Sequence, residues 1–132
     1  MSIDAVDRNA LVKLEREKAY STLEECEFLV EKQRWPGAAG RLYYTVFHAV
    51  CALLIHDQHR VKTHKGAGIM FSQIYIRTSL LPPQYGDLFF QLEYIREKSD
   101  YDCFYNVSDK DVQLRLPQAK EMIDTIAAMV KE

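Results

Sequence analysis

One segment limits the possible folds more than any other. Between Ala38 and His56 the chain carries Ala39, Leu42, Tyr43, Val46, Phe47, Val50, Leu53 and Leu54, leaving almost no polar surface at helical spacing. A run of this length is too long for a buried strand. A helix that is apolar nearly all round must be enclosed by other elements. The chain is therefore expected to fold around this helix. Its remaining stripe, Arg41, Tyr44, His48, Cys51 and Ile55, follows alternating spacings of three and four and shares one face. A charged arginine on so apolar a helix needs a partner, either a carboxylate from another helix or a ligand phosphate. His48 taken alone fits a satisfied core histidine better than a catalytic one.

The flanking segments supply helices to enclose it. Asp4 to Gln33 reads as one long amphipathic helix with Leu11, Leu14, Ala19, Leu23, Cys26 and Val30 inward. Trp35-Pro36-Gly37 reads as the break after it. Asp57 to Gly68 is polar and basic and reads as a loop. A short third helix is predicted over Lys65 to Arg77, with Thr63 as its N-cap. The β-prone stretch FSQIYIRTSL, from Phe71 to Leu80, is assigned to helix because nothing nearby offers a partner strand. Leu81-Pro82-Pro83 interrupts the chain, and a fourth helix is predicted from about Pro83 to Tyr101, with Leu88, Gln91, Leu92 and Ile95 inward. After a connection from Asp102 to Val107, Ser108 and Asp111 form a capping arrangement. A last helix spans Asp109 to Lys131, packing through Leu116, Ala119, Ile123, Ile126 and Val130, and Pro117 should bend it or mark its true start. The prediction is an all-α, up-and-down bundle of four to five helices, in a single domain over residues 1–132.

Composition narrows the function classes. A net charge of −2 and a pI near 6.1 argue against a general nucleic-acid coat, so any RNA contact must come from a local patch. Three cysteines, Cys26, Cys51 and Cys103, occur without a CxxC pair, as expected of reduced thiols in a cytoplasmic protein and not of a zinc ribbon. The N-terminus lacks the apolar stretch of a signal peptide, and the longest purely apolar run, Ala49 to Ile55, is too short to cross a bilayer. The expectation is a soluble cytoplasmic protein without membrane association. There is no phosphate-binding glycine loop, no HExxH and no nucleophile elbow, so neither metal nor cofactor is expected.

Two local groups of residues can carry chemistry. Arg96 and Asp100 are four apart near the end of the fourth helix, with Tyr101 next. Such a pair can serve simply as a surface ion bridge. An acid placed C-terminal to its base is the less favourable order for the helix dipole, which a purely stabilising pair would avoid. The second group is the Arg41, Tyr44, His48 stripe. The loop with Arg60, Lys62, His64 and Lys65 reads as a solvated turn, and at a helix N-terminus it would also suit an anion.

These residues resemble a known family. Gly40-Arg41-Leu42-Tyr43-Tyr44-Thr45-Val46-Phe47-His48-Ala49 looks like the RxYYxxFHA helix of prokaryotic HEPN domains. Lys62-Thr63-His64-Lys65-Gly66, Leu80-Leu81-Pro82 and then Arg96 through Asp100-Tyr101 follow in the expected order and spacing. The resemblance covers roughly Leu11 to Ala127. It implies a helical bundle that forms a homodimer and is paired with a minimal nucleotidyltransferase in a toxin–antitoxin system. It also implies a metal-independent ribonuclease motif, an arginine followed after four to six residues by a histidine, and in some pairs a tyrosine beside that motif that receives nucleotidyl groups. Arginine would stabilise charge on the phosphorane and histidine would move protons near neutral pH.

The sequence departs from that motif after Arg96. The window holds Tyr101, Asp102 and Cys103, with Asp100 and Tyr101 where the histidine is expected. An ordinary aspartate titrates near about 4 and a tyrosine near about 10, so neither replaces histidine readily. Three readings stay open. The chain is a HEPN subunit that binds nucleotide or RNA beside a nucleotidyltransferase, through Arg41, Tyr44, His48, Lys62, His64 and Lys65. Alternatively it is a ribonuclease toxin with a non-standard acid or base among Arg96, Asp100 and Tyr101, or with His48 or His64 brought to Arg96 by folding. Or it is a non-catalytic helical dimerisation module. Tyr101 is the expected nucleotidylation target.

Overall fold

A computed structural model describes residues 4–131, so the ends of the predicted domain at residues 1–3 and 132 lie outside it. Among these residues six α-helices follow one another: α1 (Ala5–Glu31), α2 (Trp35–His56), α3 (His64–Phe71), α4 (Pro83–Tyr101), α5 (Asp109–Gln113) and α6 (Leu116–Met129). Among the described residues there is no strand. The all-α bundle is as expected, with the last predicted helix divided in two at Leu114-Arg115. Pro117 occupies the first turn of α6 and so marks its true start. Ser108 and Asp111 form a reciprocal capping box on α5.

The apolar helix α2 is the axis of the bundle. Its longest contact is with α1, and α3, α4, α5 and α6 pack around the rest of it. Leu42, Tyr43, Val46, Val50 and Leu54 have no exposed surface at all. Taken as a whole helix, α2 has the length and mean hydropathy of a membrane span, which a count of uninterrupted apolar residues misses, but 67% of its most apolar window is buried inside the bundle. The core accounts for that apolarity.

The structure corrects four local expectations. Leu11 and Leu14 point outward on α1, where Val12, Ala19, Leu23 and Cys26 form the buried stripe. Steps of seven, four and three keep those four on one face, whereas Leu11 and Leu14 flank it. Trp35-Pro36-Gly37 is the first turn of α2 and not a break, because proline is tolerated where no amide donor is needed. The break falls one turn earlier. Gln33 takes a positive φ of 57°, and the Gln33 and Arg34 amides donate to Val30 and Leu29 in a Schellman turn. Gln91 is on the exposed face of α4 and not the inner one, and its amide oxygen accepts from Arg115 Nε at 3.0 Å.

The loop after α2 is also shorter than expected. Thr63 caps α3 by accepting from the Gly66 amide at 2.8 Å, and the helix begins at His64. It passes at Ser72–Ile76 into a π-helical turn, closed by the Arg77 amide on the Ser72 carbonyl. That turn takes up the first part of the β-prone segment, held in helical form by Tyr75, which is buried and donates its hydroxyl to Asp57 at 2.5 Å. The second part, from Arg77 to Leu80, is a non-helical turn, with Ser79 at a φ of 63°.

Candidate functional site

The packing of α1, α3 and α4 against one face of α2 gathers residues that lie far apart in sequence. Tyr43, Tyr44, Phe47 and His48 come from α2, His64 from the first turn of α3, Arg96 from α4 and Glu15 from α1. Arg96 sits over two rings, its guanidinium carbon 5.4 Å from the centre of Tyr43 and 5.3 Å from that of Tyr44. Such cation–aromatic contacts hold the charged group in place without neutralising it. Its acidic contact among the described residues is loose: Nε stands 3.7 Å from Asp100, which is half-exposed. That distance is outside hydrogen-bonding range. The Arg96 side chain is 23% exposed, so part of it remains open to a ligand.

Tyr44 carries a second cation. The Arg41 guanidinium lies 5.2 Å from the same ring. No carboxylate comes within ion-pair distance of Arg41 among the described residues, although it borders a surface hollow with Glu24, Glu25, Phe28 and Leu29. The arginine stripe on the apolar helix is thus balanced mainly by an aromatic face.

Two imidazoles flank this pair. His64 is stacked on Phe47 at 4.1 Å with the planes 8° apart, and it meets the Tyr44 ring edge-on at 5.7 Å. Its Nδ1 is 3.3 Å from the Tyr43 hydroxyl. Burial, with help from the charges of Arg96 and His48, lowers its pKa below the ordinary imidazole value, so His64 is neutral at pH 7. Burial, with Glu93 adding to it, raises the Tyr43 phenol, which stays protonated and able to donate. Glu93 in turn is raised by burial and by Glu97, against the lowering effect of Lys65 and Arg96.

His48 makes the strongest polar contact of the group. Its Nδ1 is 2.6 Å from Glu15 Oε2, and each side chain is only 18% exposed. The other Glu15 oxygen faces Lys18 at 3.7 Å. Burial alone would raise the Glu15 carboxyl, but the His48 hydrogen bond and the charges of His48 and Lys18 overcome it and hold the group below its usual value. Glu15 is therefore an acceptor. The ring of His48 lies 6.2 Å from that of Tyr44, one helical turn away.

Of the residues expected from sequence, the fold brings Arg41, Tyr44, His48, His64 and Arg96 together. Asp100 stands at their edge. Lys65 lies near Glu93 by its electrostatic influence, and Lys62 is exposed in the loop before α3. Tyr101 is elsewhere: it is 82% exposed and lines a separate open hollow of about 580 Å³ with Tyr94, Glu97, Lys98, Asp102, Cys103 and Phe104. Five residues along a helix place it well round from Arg96. Sequence reasoning missed Glu15, Tyr43, Phe47 and Glu93. The signal for Glu15 was present. It falls three residues after Val12 and four before Ala19, an acid on the buried stripe of α1 that requires a partner. Cys26 and Cys51 are free and buried, their thiols pushed up to about 12 chiefly by burial, and are unreactive packing groups.

Comparison with known proteins identifies the family. The chain is similar to a UPF0332 protein of Thermotoga maritima, with 21% identity over 126 residues that cover 96% of each chain. It is similar also to two proteins of Methanocaldococcus jannaschii, each named "putative toxin". One is 29% identical over 76% of this chain and 68% of its own length, the other 26% identical over 88% and 86%. The HEPN domain profile matches residues 12–129, which include every residue of the cluster, and the chain belongs to the HEPN domain family.

Proposed function

We propose that this chain is a HEPN module whose Arg96 face binds the phosphate of a nucleotide or of RNA, acting as the toxin-like member of a pair with a minimal nucleotidyltransferase. The observation that carries this reading is the guanidinium of Arg96. It is held by two aromatic rings, its carboxylate contact is the loose one to Asp100, and it shares the Tyr44 ring with Arg41. A local anion site of this kind is compatible with the overall charge of −2. The names of the two archaeal relatives support the toxin-like part of the reading. Homodimerisation belongs to the same proposal, as does modification of the exposed Tyr101 by the transferase. Fluorescence anisotropy with a labelled single-stranded RNA tests the core of it. Arg96→Ala is expected to weaken binding by about tenfold or more, the loss of a charge-assisted contact. Equal affinity of the two proteins would refute it.

A second reading, a metal-independent ribonuclease, is favoured by one specific feature. His48 and His64 stand beside Arg96 and offer the imidazole that the Arg96–Cys103 stretch lacks. Cleavage of RNA in the presence of a chelator, abolished by Arg96→Ala, is the expected result. Intact RNA after prolonged incubation would leave the binding role alone.

A further inference from the structure

The contact between Glu15 and His48 does more than tie α1 to α2. Its geometry decides which nitrogen of His48 faces outward. Glu15 is ionised and only accepts, so the proton in the 2.6 Å contact is on His48 Nδ1. The second ring nitrogen, Nε2, has no hydrogen-bond partner among the described residues. No buried side-chain nitrogen or oxygen there lacks a partner, so Nε2 reaches solvent. In the neutral ring it is a pure acceptor. The His48 ring lies 6.2 Å from that of Tyr44, the ring that also carries the Arg96 guanidinium, and His64 feels the charges of both Arg96 and His48.

An acceptor next to a phosphate-binding guanidinium selects for a ligand with a donor close to its phosphate. The ribose 2′-hydroxyl is such a donor, and deoxyribose lacks it. We propose that Glu15 is a positioning residue that fixes His48 with Nδ1 protonated, so that Nε2 accepts from the 2′-hydroxyl of a nucleotide whose phosphate lies on Arg96 and the site distinguishes RNA from DNA. This inference rests on the proposed phosphate-binding role of Arg96. The charged and titratable groups around His48 are Glu15 and Lys18 from α1, Arg41 and Tyr44 from α2, His64 from α3 and Arg96 from α4.

The test uses the full chain at about pH 8, where an ordinary imidazole is neutral. Nitrogen-15 spectra of the histidines report the tautomer directly. The Nδ1–H form of His48 is expected in the wild type, and the Nε2–H form in Glu15→Leu, which has no acceptor for Nδ1. In parallel, affinity is measured for a single-stranded RNA hexamer and for the DNA hexamer of the same sequence. The wild type is expected to prefer RNA by about tenfold, the worth of one well-made hydrogen bond. Glu15→Leu should bring RNA down to the DNA value without changing DNA binding, and Glu15→Asp should restore part of the preference. If Glu15→Leu fails to fold, His48→Phe takes its place in the affinity comparison. An Nε2–H tautomer in the wild type, or an RNA preference that survives Glu15→Leu, overturns the proposal. Equal, Arg96-dependent binding of both hexamers overturns it while leaving the phosphate site intact, whereas binding of neither hexamer removes both.

Discussion

At the scale of single residues, the chemistry was partly legible and partly hidden. The stripe Arg41, Tyr44, His48 followed from spacing alone, and the structure keeps all three on one side of α2. The motif around Arg96 was misleading in one respect, because it directed attention along α4 to Asp100 and Tyr101. The imidazoles that flank Arg96 come from other helices, and no local spacing rule encodes such a meeting. Glu15 was overlooked because periodicity is usually scored on apolar residues, so an acid on the inner stripe is passed over as surface charge. Its pairing with His48 has a pH consequence. Its pKa is held below the ordinary value of 4.5 in the folded state. The pair therefore stabilises the fold above that value and loses its effect as the pH falls through the lower, folded-state value. Urea unfolding of the wild type and of Glu15→Gln should show a gap in midpoint at pH 7 that narrows below pH 4.5. A constant gap across that range would contradict the assignment.

At the scale of elements, the boundaries set by proline and by capping residues were readable, and those set by left-handed residues were not. Thr63, Ser108 and Pro83 mark helix starts in both sequence and structure. Gln33 and Gln58 end α1 and α2 in the left-handed region, φ 57° and 66°, where glycine is the usual signal. The Gln58 and His59 amides close the second of these turns on Ile55 and Leu54. Gln58→Gly should raise the unfolding free energy by roughly 0.5–1 kcal/mol, by relieving the strain of a side chain at positive φ. No gain in a thermal melt would count against that reading. Gly68 poses the opposite case. A Cβ there would lie 2.7 Å from Cε1 of Phe89, which is fully buried and has nowhere to move. Gly68→Ala is expected to cost about 1–3 kcal/mol by overpacking, despite the better helix propensity of alanine. Because α3 carries His64 and α4 carries Arg96, the same change should also weaken RNA binding.

At the scale of the whole molecule, one helix organises everything else. The apolarity of α2 required a bundle around it, and that much followed from sequence. Which face of the bundle would carry function did not, since it depends on how α1, α3 and α4 pack against the Arg41–His48 side. Two surfaces with aromatic character are the candidates for a ligand among the described residues. One is the Arg96, Tyr44, His48, His64 face, and the other is the open hollow of Tyr94, Tyr101 and Phe104 on the far side of α4. The first has the cations that an anionic ligand requires. The second has Glu97, Lys98 and Asp102, a mixed set that favours no anion. Titrating the isotope-labelled protein with a single-stranded RNA hexamer, and following its side-chain and amide resonances, separates the two. Arg96, Tyr44, His48 and His64 are expected to shift together while Tyr101 and Phe104 stay unchanged. Shifts confined to Tyr94, Tyr101 and Phe104, with Arg96 unmoved, would contradict the account.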